Sequence, residues 1–166
     1  MIPTPAGRLV PTDHGHDLVI TREFRAPIDD VWASITEPER LARWYGTWSG
    51  PAAPGTTIEL TLTAEEGNPT SLVHIDECTP PTHLAVSATD DAGVWHLELR
   101  LTEQNGITSL EFVHHLGEDV DSSDIGPGWE FYLDRLVASR DGATLPDFDD
   151  YYPAMKAYYG AQRTAG

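Results

Sequence analysis

The sequence predicts an α+β fold: a curved, six-stranded antiparallel sheet packed on one long C-terminal helix, with two short helices after the first strand. Three observations carry this. Between Ile125 and Val137 apolar residues recur at helical spacing (Ile125, Trp129, Tyr132, Leu133, Leu136, Val137), with Glu130, Asp134, Arg135 and Ser139 off that stripe. Upstream, about sixty residues alternate with a period of two, the pattern of strands with one dry and one wet face. A chain of 166 residues is also long enough to bury the core such a single domain needs without disulfides or metals.

Taken in order, residues 1–15 are rich in Pro and Gly and are expected to be a flexible lead-in. The main domain is expected over 16–142. Asp17 to Phe24 alternates as a strand, with Arg22 on the apolar parity. Pro27 opens a helix, Asp29 and Asp30 sit at its positive end, and Ile28, Val31, Trp32 and Ile35 form its buried side. Glu37-Pro38 breaks that helix and starts a shorter one bearing Leu41, Trp44 and Tyr45. Glycines and prolines from Gly46 to Gly55 mark a loop carrying Trp48. Five strands follow, at Thr57 to Thr63, Ser71 to Cys78, His83 to Ala88, Val94 to Thr102 and Thr108 to Leu116. Gly67-Asn68-Pro69, Pro80-Pro81, Asp90 to Gly93 and Asn105-Gly106 separate them, the last being the plainest hairpin signal.

The long helix is read from Pro127 to Arg140, capped by Asp124 or Ser123 and ended by Gly142 in the left-handed conformation. Residues 143–166 are expected to be a tail whose short helix, opened by Pro153 and containing Met155, Tyr158 and Tyr159, packs on the domain.

Charge excludes some functions. The formal net charge is −17, and only Lys156 among the ten basic residues is a lysine. Phosphate backbones and anionic membrane surfaces are repelled by such a chain, so neither nucleic acid nor membrane is an expected partner. Ten carboxylates against two arginines between Gly117 and Asp150 make an acidic surface that a protein partner could read. Cys78 stands alone, and no stretch approaches the ~20 apolar residues that span a bilayer, so a cytoplasmic protein is expected.

Three separated words carry a family resemblance. ITREFRAPIDDVWASITEPERLARWYG, ITSLEFVHHL and GPGWEFYLDRL resemble, in that order, the opening, the last strand and the C-terminal helix of the activator of heat-shock protein 90 ATPase homologue family. That family lies in the START-like, or SRPBCC, superfamily, and the resemblance covers roughly residues 16–142. It implies the helix-grip fold and a cavity between sheet and long helix that takes apolar molecules. In the eukaryotic namesake the related domain helps stimulate a chaperone ATPase, which makes a chaperone an expected protein partner.

Strand parity gives the expected cavity lining: Trp95 and Leu97, Phe112 and His114, Trp129, Tyr132 and Leu133, with Trp44 and Trp48 at the entrance. Tryptophan and tyrosine offer large apolar area with one polar handle each, which suits an aromatic ligand, though the same rings also serve to fill a core. His114 and His115 are neighbours on a strand and point to opposite faces, so they cannot chelate one ion. No nucleophile elbow or phosphate loop is present, and no metal site or cofactor is expected. The reading is therefore a non-enzymatic binder of a small hydrophobic or aromatic molecule, monomeric or homodimeric. One alternative is a cavity enzyme of the cyclase or dehydratase type using His114, Arg22 or Glu98. Another is a chaperone-associated or stress-response interaction module.

Overall fold

A computed structural model of the chain describes residues 3–90 and 93–165. The fold is α+β with one antiparallel sheet in the order β1-β2-β8-β7-β6-β5-β4-β3. It has eight strands rather than six. The two additions are β1 (Arg8–Thr12), in the segment expected to be a flexible lead-in, and β3 (Gly46–Ser49), in the segment expected to be a loop. Both are four- or five-residue edge strands whose Pro and Gly content hides them from a periodicity argument. Each pairs with a partner that periodicity does find: β1 with β2 (Gly15–Phe24), and β3 with β4 (Thr57–Leu62). No helix among the described residues is long and apolar enough to cross a membrane.

The chain divides into two compact units. One is Arg22 to Phe112, holding helices α1 (Ile28–Thr36) and α2 (Pro38–Leu41) and strands β3, β4, β5 (Thr70–Thr79), β6 (His83–Asp90) and β7 (Gly93–Gln104). Asn105 (φ 53°) and Gly106 (φ 78°) make the tight turn into β8 (Ile107–Gly117), as their dipeptide predicts. The expected turn at Asp90 to Gly93 falls partly on Asp91 and Ala92, which lie outside the described residues. Helix α1 is fixed at both ends. Its first amide, Ile28 N, donates to Glu103 Oε1 at 2.6 Å, where a carboxylate meets the positive end of the helix. At the other end the Trp44 and Trp48 indoles donate to the Ser34 and Thr36 carbonyls, both at 2.9 Å, satisfying oxygens that a helix end leaves without partners.

The other unit comprises the chain up to Thr21 and from Val113 onward. It holds α3 (Ser122–Asp141), a 3-10 turn (Phe148–Asp150) and α4 (Lys156–Ala165). Helix α3 begins five residues before Pro127. Its N-cap is Asp121, whose side chain accepts from Ser123 N at 2.9 Å, rather than Ser123 or Asp124, and Pro127 lies inside the helix. Gly142 (φ 67°) ends it as expected, donating to Ala138 O. The single apolar stripe is also too simple. Phe131 and Ala138 are buried along with Trp129, Tyr132, Leu133 and Leu136, and Glu130 is fully buried. The chain's C-terminal segment covers a second side of α3: Phe131 meets Tyr151 edge-on at 5.5 Å, and Tyr151 donates to Asp134 at 2.6 Å. Helix α4 starts at Lys156 rather than at Pro153.

Candidate functional site

The residues expected to line a cavity fall into two groups, one in each unit. Within the first unit, directly opposed residues of an antiparallel pair share a face, so register alone assembles an apolar surface. One row runs Ile58, Val73, Ala88, Trp95 across four strands; a second runs Ile75, Val86, Leu97; Trp48 stands opposite Leu60 on the same face. Val73, Ile75 and Leu60 are buried, whereas Ala88, Val86, Trp95, Leu97 and Trp48 are only half-buried. The structure thus brings Trp48, Trp95 and Leu97 onto one apolar face that retains solvent access. Val86 and Ala88 belong to it too; parity marked Val86, but small aliphatics give no signal beyond parity.

Trp44 is buried and Phe112 is 3% exposed, so both fill core positions. Trp44 lies 5.4 Å from Tyr45, a residue the sequence argument used only as an apolar helix position. Burial pushes the Tyr45 phenol above its ordinary value, and the charge on Glu65 adds to the shift. That hydroxyl stays protonated at neutral pH and is a hydrogen-bond donor.

Within the second unit, His114, Trp129, Tyr132 and Leu133 are all buried. Trp129 Nε1 donates to His114 Nδ1 at 3.1 Å, the rings edge-on at 6.1 Å, and Trp129 lies 6.1 Å from Tyr132. An indole nitrogen can only donate, so Nδ1 must be the accepting nitrogen and the neutral ring carries its proton on Nε2. A general base needs a free lone pair within reach of a substrate proton. His114 has committed its basic nitrogen to an indole, which suits a positioned polar group better than a proton acceptor. His115 points to the opposite side, paired with Asp17 at 2.7 Å, so the two histidines diverge as parity requires.

The opposite face of the first unit's sheet is polar. His83 bonds Glu98 at 2.8 Å, and Arg100 reaches both Glu98 (3.1 Å) and Glu111 (3.3 Å). Glu98, a nominee for acid or base chemistry, is therefore held in an ion-pair network on the wet side. Arg22 is half-buried and engaged. Among the described residues no group of three or more His, Cys, Asp or Glu side chains is arranged to hold a metal ion.

Comparison with known proteins fixes the family. Residues 25–139 match the model of the "Activator of Hsp90 ATPase homolog 1-like protein" family. The chain belongs to that family. Its fold is the START-like, or SRPBCC, helix-grip. CalU16 from Micromonospora echinospora is similar over 96% of each chain, at 27% identity and a TM-score of 0.76. The BPP1335 product of Bordetella parapertussis is 23% identical over 96% of this chain and 90% of its own, with a TM-score of 0.71. DynU16, described as a protein of the dynemicin biosynthetic locus, is 21% identical over 83% of this family member and 51% of its own length, with a TM-score of 0.68. No curated protein matches in sequence. The fold family is one that binds small molecules.

Proposed function

We propose that this protein binds a small hydrophobic or aromatic molecule without transforming it, using the apolar sheet face that carries Trp48, Trp95 and Leu97. The observation that carries the reading is that Val86, Ala88, Trp95 and Leu97 are half-exposed on the same face as the buried Leu60, Val73 and Ile75. In a packed core such a row is closed; left partly wet, it is the surface a ligand would dry, at about 25 cal/mol for each Å² of apolar area covered. His114, with its tautomer set by Trp129, supports binding over general-base catalysis.

The test is a titration with planar aromatic compounds and with Nile red, followed by tryptophan and dye fluorescence. Saturable binding by the wild type is expected. Trp95→Ala should weaken it at least about tenfold, the loss of one well-buried aromatic contact of about 1.5 kcal/mol, while urea unfolding changes little because Trp95 is only half-buried. The absence of saturable binding across the panel, or wild-type affinity in Trp95→Ala, would refute the proposal.

A further inference from the structure

The segment Ala6–Leu9 and helix α4 sit at opposite ends of the sequence and meet on α3. Three donors converge on one buried oxygen, Glu130 Oε2: Ala6 N at 2.6 Å, Gly7 N at 3.3 Å and Tyr159 Oη at 2.8 Å. The two ends also bond each other directly. Tyr158 Oη and Gln162 Nε2 both donate to Gly7 O, at 2.7 and 3.1 Å, and Leu9 N donates to Gln162 Oε1 at 2.9 Å. Tyr159 is fully buried, and its ring occupies the space that a Cβ at Gly126 would take. Farther back, Tyr152 and Lys156 hold Asp124 in the first turn of α3, and Tyr151 holds Asp134.

We propose that the two chain ends form a single strap over α3 that opens and closes as one cooperative unit, with Glu130 as its buckle. Neither end can leave alone without taking donors from a carboxylate that stays buried beneath the other, and removing donors from a buried charge costs more than the bonds return to water. Both ends leaving together lets water reach Glu130, so the joint opening is the cheap one. The strap is built from a few aromatic side chains, polar bonds and the edge-strand pairing of β1 with β2, the class of structure that opens well below the free energy of global unfolding. Opening uncovers Glu130, the sequence neighbour of Trp129 on the helix. The inference does not depend on a ligand, because its readout is backbone exchange.

Native-state amide hydrogen exchange in low urea tests it on the whole protein. Leu9 and the amides of α4 should share one opening equilibrium, distinct from that of Leu110 and Leu101 in the sheet. Tyr159→Phe removes one hydroxyl and should speed exchange at Leu9 and in α4 by the same factor, roughly tenfold for a hydrogen bond to a charged group. Gln162→Ala, at a half-buried position where folding is not at risk, should do likewise to a smaller extent. If Tyr159→Phe accelerates α4 while Leu9 keeps its wild-type rate, the ends move independently and the strap is refuted. If both segments exchange only through global unfolding, with the same urea dependence as Leu110, it is refuted equally.

Discussion

Two glycines on one helix should respond to the same substitution with opposite sign. Gly126 and Gly128 both lie inside α3, and glycine in a helix interior costs about 1 kcal/mol relative to alanine, so intrinsic propensity favours Ala at both by the same amount. What differs is the space. A Cβ at Gly128 meets nothing within 4 Å, so Gly128→Ala should stabilise by up to about 1 kcal/mol. A Cβ at Gly126 would stand 2.5 Å from two ring carbons of Tyr159, closer than any real contact. That ring cannot step aside, because it is fully buried and its hydroxyl is tied to Glu130. Overpacking of this kind costs about 1–3 kcal/mol, and displacing the ring would also forfeit a hydrogen bond to a charged group, about 1.5–3 kcal/mol. After the propensity gain, Gly126→Ala should come out destabilised by about 1.5–5 kcal/mol. In a protein of this size each kcal/mol moves Tm by about 2–4 °C, so the two variants should melt roughly 5–24 °C apart on either side of wild type. Urea and thermal unfolding followed by circular dichroism measure this. Should Gly126→Ala stabilise as Gly128→Ala does, Tyr159 does not lie against α3 at Gly126, and the account of the C-terminal segment fails with it.

Two further substitutions separate local features of the same helix. Ser122 Oγ is the one buried side-chain nitrogen or oxygen without a hydrogen-bond partner among the described residues, so Ser122→Ala should be neutral or stabilising by up to about 1 kcal/mol in urea unfolding; a loss above that would mean the hydroxyl is satisfied. Hydrogen bonds from Lys156 and then Tyr152 hold the Asp124 carboxyl below its ordinary 3.8, and the bond to Asp124 raises Lys156 above 10.5. The lowered carboxyl stabilises the fold above pH 3.8 and loses that contribution as pH falls through its folded value; the raised amine stabilises below pH 10.5 and loses it as pH rises through its own. Lys156→Met should therefore be less stable than wild type across the neutral range, with the difference closing at both extremes. A difference that survives undiminished at about pH 2 would show that Lys156 acts through packing instead.

Much of the architecture was legible because its signals are strong and local. Alternation finds β4 through β8 to within two residues at every end, since a strand buried on one face must alternate, and Asn105-Gly106 and Gly142 mark positive-φ positions that few other residues tolerate. The misses share a cause. Strands β1 and β3 are short edge strands whose stability comes from pairing with β2 and β4, an interaction between segments that no window of sequence displays. Helix α3 begins at Ser122 because Asp121 caps it, and the buried interior position of Pro127 offered a start that looked just as good. Glycines and serines in its first turns weaken the apolar periodicity there.

The candidate site was legible to the extent that parity governs it. Trp48, Trp95 and Leu97 share a face because register puts them there, and parity sees register. Parity does not see depth. It treats Phe112, Trp44 and Trp95 alike, whereas only Trp95 keeps part of its surface wet, because exposure depends on what covers the face rather than on which face it is. The same blindness hid Glu130. A carboxylate off the apolar stripe reads as solvent-facing, yet this one is fully buried because Ala6, Gly7 and Tyr159 arrive from more than 100 residues upstream and from 29 residues downstream to satisfy it. The sequence did carry a trace of that arrangement. Gly126 beside Pro127, in a helix that alanine would favour, is what a close approach by another segment demands, and an aromatic tail with Tyr158 and Tyr159 is what makes the approach. Helix α3 therefore makes two sets of contacts from successive residues, Trp129 donating to His114 and Glu130 accepting from Ala6, Gly7 and Tyr159.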